Sequence, residues 1–600
     1  MSIRHEGDSP AIDAGIPPIA EDLSGTALLT ATALLLLAGS IELVAVAGFA
    51  VGFPISPATL PLAALLAGLG TAALARSRDA ARWRRSLLRA LGSALLIAVG
   101  AIGIAGLIHD TTWDGNWYHQ PAIMALAHGW NPLAGPPSGD AARTAMLVHY
   151  SEKADATTAA VQVNHFPKGP WYLAASLIRA GASLEQSKAF NLILIAVAAL
   201  TAFAAVHALA RWGTRRSALA AVLVALNPVA TCQAFSFYVD GQLGSVLAAL
   251  VAAGALAARA PDPAAVLAFG LAAALAINVK FSAIAYAAIL AVAACCLAVR
   301  LRGLPSAAAL GSLSLVALTV GALAIGWNPY VMNTLTKGHP LYPLAGPQAV
   351  DILTQNLPHG FRALNRFERL AASVFSISSN GHPPELIAIP KIPFEVYRSE
   401  LRLRGGLLFA SPDVRLGGFG PLFSGALVLA AILALASFAS GPLAAVPWVI
   451  GALSLLISTV VSTEGWWARF APQLWLVPLM VSLATIANRP RLTSRLSGLL
   501  LAVLAIDAGL VLTLHLGYRG AVEMAIRREL RTLRAAPTGV ELKVKYFEGV
   551  RFRLAAAGVP FRVAESLSCA RPRPILSSDA LWCPQGRGGE DVSAARRVAP

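Results

Sequence analysis

The sequence predicts an all-α polytopic membrane bundle with long loops on its outer face and a small C-terminal α/β domain. Three observations predict it. Hydrophobic residues make up 56% of the 600 residues and charged residues only 13%, with a mean hydropathy of +0.64; soluble domains usually carry about 25% charged residues. Apolar runs recur along the chain, most of them near the ~20 residues that cross a hydrocarbon core. Arginines gather in the short connections between alternate runs, the asymmetry that sets membrane orientation. This composition excludes a soluble multidomain enzyme, and it excludes a disordered chain, which needs low hydrophobicity.

The elements follow in order. Residues 1–24 hold Arg4 against Glu6, Asp8, Asp13, Glu21 and Asp22. They lack the basic region of a cleavable signal and read as a cytoplasmic tail. Apolar runs follow at 26–50, 56–75, 90–108, 188–210, 217–235, 242–258, 264–279, 281–299, 306–327, 421–439, 444–462, 470–487 and 496–517. They amount to about thirteen spans by the length rule, and residues 169–182 read as a half-helix. Arg76, Arg78, Arg82, Arg84, Arg85 and Arg89 lie between the second and third runs. Arg211, Arg215 and Arg216 follow the fourth, Arg300 and Arg302 the eighth, and Arg489, Arg491 and Arg495 the twelfth. All these loops then face the cytoplasm. The net charge of +16 is therefore mostly topological, and no nucleic-acid partner is needed to explain it.

That orientation puts the connections 109–187 and 328–420 outside, together with the tail 518–600. The tail reads as a helix over 519–534, followed by strands where apolar residues alternate, at Val540–Val544 and Val550–Leu554. Cys232, Cys295 and Cys296 fall in apolar runs, whereas Cys569 and Cys583 lie in the tail. A disulfide between the last two requires an oxidising compartment. No CxxC pair suggests zinc.

Polar clusters stand at the outer ends of the runs. His109-Asp110-Thr111-Thr112-Trp113-Asp114-Gly115-Asn116-Trp117-Tyr118-His119 opens the first loop. Interfacial tryptophan and tyrosine are ordinary membrane-belt residues, but two aspartates and two histidines within eleven residues are not. Asp114 and Tyr118 share a helix face by their spacing, and Asp110 suits a helix cap. Residues 122–128 form a short amphipathic helix stopped by Gly129 and Pro132. His165 and Lys168 precede the half-helix, where Lys168 fits either a snorkelling residue or a phosphate-binding cation. Asp240, in Tyr238-Val239-Asp240-Gly241, and Lys280, in Asn278-Val279-Lys280-Phe281, sit at depths where ionisable groups default to function. The second loop carries Asn328-Pro329-Tyr330 and Gly338-His339-Pro340, and closes on Asp413-Val414-Arg415. Arg469, in Trp467-Ala468-Arg469-Phe470, suits a cation–π belt or a phosphate.

In this order and on one face, these motifs resemble the GT-C superfamily of polytopic membrane glycosyltransferases. The similarity is to protein mannosyltransferase-like and aminoarabinose transferase-like members that depend on polyprenyl-phosphate sugars. It covers roughly residues 90–490, and the whole region 90–517 is expected to be the catalytic membrane domain. The hairpin and basic loop of 25–89 would be additional, and 518–600 would be a periplasmic domain. The resemblance implies a multi-pass protein of the bacterial inner membrane with its active site facing the periplasm. It implies a polyprenyl-phosphate sugar donor, an envelope acceptor and contact with membrane lipid. Asp114 matches the family's catalytic acid in the first large outer loop. Gly115 follows it where some members carry a second acid. Tyr118, His119, His165, Lys168, Asp240, Lys280, His339 and Arg469 are the candidate substrate-binding residues. No motif calls for a cofactor, and a divalent metal is the one candidate. The competing readings are an envelope polysaccharide polymerase or ligase with a diphosphate-linked donor, and a secondary transporter, which would place its ionisable residues near the midplane on broken helices.

Overall fold

The computed structural model describes residues 23–139, 141, 159–210, 212–380, 385–400, 408–440, 442–488 and 491–585. Residues 1–22 of the expected tail, and Arg211 and Arg489 of the basic loops, lie outside them. The chain is mostly helical. It opens with α1 (Leu23–Ala50), α2 (Thr59–Arg78) and α3 (Trp83–Ala105), all rich in alanine and leucine. The first long connection holds a π-helical turn (Gly115–His119), α4 (Gln120–Ala127), α5 (Ala159–His165), α6 (Gly169–Arg179) and α7 (Leu184–Ser187). The expected half-helix is α6, and the short amphipathic helix is α4.

The bundle continues through α8 (Phe190–Ala210), α9 (Thr214–Ala225), α10 (Pro228–Gln233), α11 (Asp240–Arg259), α12 (Pro263–Val279), α13 (Ala283–Arg302) and α14 (Leu304–Val320). After π-helical turns at Gly321–Ile325 and Trp327–Val331 come α15 (Met332–Lys337) and α16 (Arg366–Val374) in the second connection. The remaining helices of the bundle are α17 (Phe423–Ser440), α18 (Pro442–Val461), α19 (Leu476–Asn488) and α20 (Arg491–Arg534).

Among the described residues, eight helical stretches are long and apolar enough to cross a membrane, and four apolar helices are shorter. These are fewer long helices than the about thirteen spans expected, and some expected runs form shorter or broken helices. The run 217–235 shows why. Pro228 offers no N–H to continue the helix, and Asn227 accepts a bond from Val229 N (3.0 Å) to start α10 afresh. The run 470–487 likewise begins in 3-10 turns, Ala468–Phe470 and Pro472–Trp475, before α19 forms.

Among the eight long apolar helices of the described residues, α11 is the most enclosed and α3 the most exposed. Small residues let the helices approach closely: a Cβ on Gly254 of α11 would meet Phe269 at 3.0 Å and Ala294 at 3.3 Å. α1 packs against α8 and α12, so Leu28, Leu35 and Ile41 join the main core although their hairpin was expected to be an addition. At one end of α12, Asp262 caps Ala264 N (2.9 Å) and pairs with Arg78 (3.0 Å) from the basic end of α2. Asp240 and Lys280 stand at the opposite ends of α11 and α12.

α20 has 44 residues, about 66 Å at the helical rise. It leaves the bundle and becomes part of the C-terminal domain. That domain is a four-stranded sheet in the order β2-β1-β4-β3, formed by β1 (Val540–Lys543), β2 (Phe561–Val563), β3 (Arg573–Pro574) and β4 (Leu581–Pro584). β1 pairs parallel with β2 and antiparallel with β4. Ile526, Leu530 and Leu533 of α20 pack on Val540, Leu542 and Val550. The expected strand at Val550–Leu554 is instead α21 (Gly549–Ala556). Its alternating pattern misleads because both faces are covered: Arg551 pairs with Glu548 (2.8 Å) and Arg553 reaches the bundle, while Val550 and Leu554 face the sheet core.

Cys569 and Cys583 form a disulfide, with Cα atoms 5.9 Å apart and a sequence separation of 14. In a small domain, closing such a loop contributes about 2–4 kcal/mol. Cys569→Ser is accordingly expected to unfold the C-terminal domain at lower denaturant by that amount, measured by limited proteolysis along a urea series. An unchanged midpoint would mean that the bond is dispensable.

Candidate active site

Three segments far apart in sequence converge on one guanidinium. Arg469 lies in the 3-10 turn between α18 and α19, with only 9% of its surface exposed. Its Nη2 donates to Asp114 Oδ2 (2.6 Å), its Nε to Asp240 Oδ2 (2.9 Å) and its Nη1 to Asp413 Oδ1 (3.3 Å). Lys280 pairs with the other oxygen of Asp240. Aromatic rings form the floor: the guanidinium carbon lies 4.3 Å from the centroid of Tyr238, and the Lys280 ammonium 3.5 Å from that of Phe470. Three carboxylates against two cations leave the centre one negative charge when all are ionised. Burial opposes the charge on Arg469, but Asp240, Asp114 and Asp413 outweigh it and hold its pKa well above the ordinary value. Burial raises the Asp413 carboxyl, and Arg469 and Arg415 only partly offset this.

Local structure sets the aim of Asp114. The π-helical turn begins directly after it, and such turns are frequent at functional sites. Tyr118 closes back over the turn and donates to Asp114 Oδ2 (3.4 Å). Both contacts fall on Oδ2, so Oδ1 has no partner among the described residues. Gly115 cannot be larger, because a Cβ there would overlap the Asp110 carboxylate and the Thr112 hydroxyl.

Asp110 holds backbone. Its oxygens accept from Thr112 N (2.9 Å) and Phe237 N (3.1 Å), which fixes the loop to the entrance of α11. From the other side, α20 and the C-terminal domain grip the same loop. Glu523 accepts from His109 N (2.8 Å), Arg519 bonds Thr111 and the His109 carbonyl, and Arg553 reaches the Asp110 carbonyl (3.2 Å). Trp113 packs edge-on against Phe547 at 4.8 Å. A Cβ on Gly549 would stand 2.5 Å from Asn116 Oδ1, so the domain touches the π-helical turn itself.

His119 is buried beside the centre. Its Nδ1 lies 2.7 Å from the Trp171 indole nitrogen, which can only donate. The ring proton therefore sits on Nε2, a buried atom with no partner among the described residues. Burial lowers the pKa of His119 to about 4, so the ring is a neutral N–H donor.

Asp114, Tyr118, His119, Asp240, Lys280 and Arg469 thus come together. Three other candidates do not. Lys168 is enclosed, and its ammonium donates to Asn164 O (3.0 Å), Phe166 O (2.9 Å) and Asn328 Oδ1 (2.7 Å), which engages all the donors a lysine has. His165 bonds Asn333 (2.8 Å) and meets the Tyr342 ring edge-on at 4.7 Å. His339 accepts from Leu341 N (3.1 Å). His165 and Lys168 join the first long connection to the start of the second. Asp413 and Gln233 are members of the centre that sequence reasoning left out. Gln233 donates to Asp240 (3.3 Å) and Pro412 O (2.9 Å), bracing Asp413. The signal for Asp413 was its place at the last polar step before a span, the mirror of Asp114. Among the described residues no group of three or more His, Cys, Asp or Glu has metal-binding spacing; the three carboxylates surround a guanidinium instead.

No protein-family model, no curated protein sequence and no solved structure matches the chain.

Two measurements test this geometry. Gly115→Ala is expected to destabilise the protein by about 1–3 kcal/mol through overpacking, read as a lower unfolding midpoint; a neutral effect would mean that the loop is not held as described. The pH dependence of stability tests His119. An unfolded histidine titrates near 6.5, so the unfolded chain binds a proton that the buried ring refuses. The stability from neutral His119 is complete above about pH 6.5 and is lost as pH falls towards about 4. His119→Gln is expected to flatten that acid limb in unfolding midpoints taken from about pH 4 to 7. Superimposable curves would contradict a buried, neutral ring.

Proposed function

We propose that this chain is an integral membrane glycosyltransferase. It moves a sugar from a polyprenyl-phosphate-linked donor to an envelope acceptor, a glycan, lipid or protein, on the periplasmic face of the bacterial inner membrane. The observation that carries the reading is the meeting of Asp114 with Arg469, Asp240 and Lys280 at the ends of spans opposite the arginine-rich loops. The Cys569–Cys583 disulfide supports an oxidising compartment on that side. The order of motifs along the chain supports a GT-C-like arrangement, in which the shorter apolar helices complete the spans.

The roles follow from donor and acceptor capacity. Asp114 Oδ1 takes the proton of an acceptor hydroxyl as that oxygen bonds the anomeric carbon. The bond from that carbon to the phosphate oxygen breaks, and its electron pair leaves with polyprenyl phosphate. A guanidinium has five N–H donors and an ammonium three. Arg469 engages three of its own and Lys280 one among the described residues. The remaining donors stabilise the departing phosphate, the kind of electrostatic assistance that is often the largest in catalysis. Asp240 holds both cations in place, and His119 offers its N–H to a sugar or acceptor oxygen. A single displacement inverts the anomeric centre. The second outer connection, which supplies Asp413, covers the site and excludes water.

The test is transfer of a radiolabelled sugar from a polyprenyl monophosphate to membrane acceptors. Asp114→Asn, inserted and folded normally, is expected to lose about 10²–10⁴-fold in rate. Full activity in that variant overturns the base assignment. Arg469→Lys keeps the charge but not the fork, and is expected to lose at least about tenfold. Folded wild-type protein that transfers from diphosphate-linked donors alone overturns the monophosphate reading.

A further inference from the structure

We infer that the outward continuation of α20 is a docking stripe for anionic phospholipid headgroups. The tail was an anomaly in the sequence, arginine-rich on the side where arginine is normally sparse. Two groups of those arginines stand apart from Arg562, Arg571 and Arg573, which are exposed elsewhere on the domain. Arg519, Arg551 and Arg553 are buried and hold the Asp110 loop or the domain interior. Arg527, Arg528, Arg531 and Arg534 are exposed on α20. Arg527, Arg531 and Arg534 follow the spacing that places residues on one helix face, and Arg528 flanks them.

Their depth is fixed by contact with the bundle. Arg527 Nη2 donates to the carbonyl of Leu107 (2.8 Å), just past the outer end of α3. Ile104 and Leu107 there are exposed and apolar, as are Leu516 and Met524 on α20. The surface therefore changes from apolar to cationic at the level where α3 ends. Arg531 and Arg534 stand about 6 and 10 Å farther along the helix by its rise. That is the depth of a phospholipid headgroup layer, and not the outer tip of the domain, where a soluble partner would meet the protein.

The acids nearest the stripe are engaged elsewhere. Glu523 is taken by His109 and Arg527, and both oxygens of Glu529 accept from Leu576 N (3.1 Å). Among the described residues Arg528, Arg531 and Arg534 have no carboxylate partner within salt-bridge distance. An unneutralised cationic row at headgroup depth is complementary to lipid phosphates. The same helix turns hold the loop of Asp114 through Arg519 and Glu523, so bound headgroups would steady the domain against the bilayer. The proposal rests on no part of the glycosyl-transfer reading.

The test uses the full-length protein in non-ionic detergent, with phosphatidylglycerol or phosphatidylcholine added at equal mole fraction and bound lipid counted by native mass spectrometry. Wild type is expected to retain phosphatidylglycerol preferentially, and less of it as salt rises. The triple variant R528Q/R531Q/R534Q is expected to lose about tenfold or more of that retention with an unchanged unfolding midpoint. R528K/R531K/R534K is expected to keep it. Equal retention of both lipids by wild type, or full phosphatidylglycerol retention by the glutamine variant, overturns the proposal. So does wild-type preference for a soluble polyanion such as heparin over phosphatidylglycerol, which would assign the stripe to an acidic glycan.

Discussion

The guanidinium of Arg469 is the point on which the arrangement of the two long connections depends. A buried arginine is tolerable only if carboxylates surround it, and each carboxylate is tolerable only because the arginine is there. Asp114 comes from the first long connection, Asp240 from the start of α11 and Asp413 from the end of the second connection. The desolvation of so many charges makes the cluster a poor source of net stability. Its effect is geometric. Three segments must take one arrangement to satisfy one cation, and the polar lining of the candidate active site is thereby assembled.

The same logic operates a layer farther out. The loop that carries Asp114 is short of regular structure, and backbone groups buried there need partners. They find them on both sides: Asp110, Glu185 and Lys188 toward the bundle, and Arg519, Glu523 and Arg553 toward the tail. Gly115 and Gly549 permit the close approach. The C-terminal domain is thus part of what positions the acid, although it contributes no carboxylate to the centre.

Much of this was legible because membranes sort residues by depth. Asp114, Asp240, Lys280 and Arg469 each interrupt or border an apolar run at the same face, and an ionisable group there needs a reason. The long helices were legible from run length. What failed depended on contacts between distant segments. Lys168 was read as a snorkelling residue or a phosphate-binding cation, but its partners are two carbonyls and an amide, which no sequence pattern announces. Asp413 only closes the second loop in the sequence, and the fold alone sets it against Arg469 while Gln233 bonds the neighbouring Pro412 carbonyl. Val550–Leu554 alternates as a strand does, and only the packing of α21 against the loop on one side and the sheet on the other explains why it is a helix. Asn227 and Pro228 split an apolar run whose length alone suggested one span.

α20 has a consequence of a different kind. It is one unbroken helix from the bundle to the start of the sheet, so nothing between them can absorb a change of phase. Each residue of an α-helix turns the chain by about 100° and advances it 1.5 Å. Arg519 and Glu523, one turn apart, meet the Asp114 loop on a single side of that rod. The register of this helix within the bilayer therefore fixes the angular setting of the outer domain, as a keyed shaft sets the wheel it carries. An insertion or deletion of one residue in its membrane-embedded half would be felt as a rotation of the whole domain away from the loop it holds.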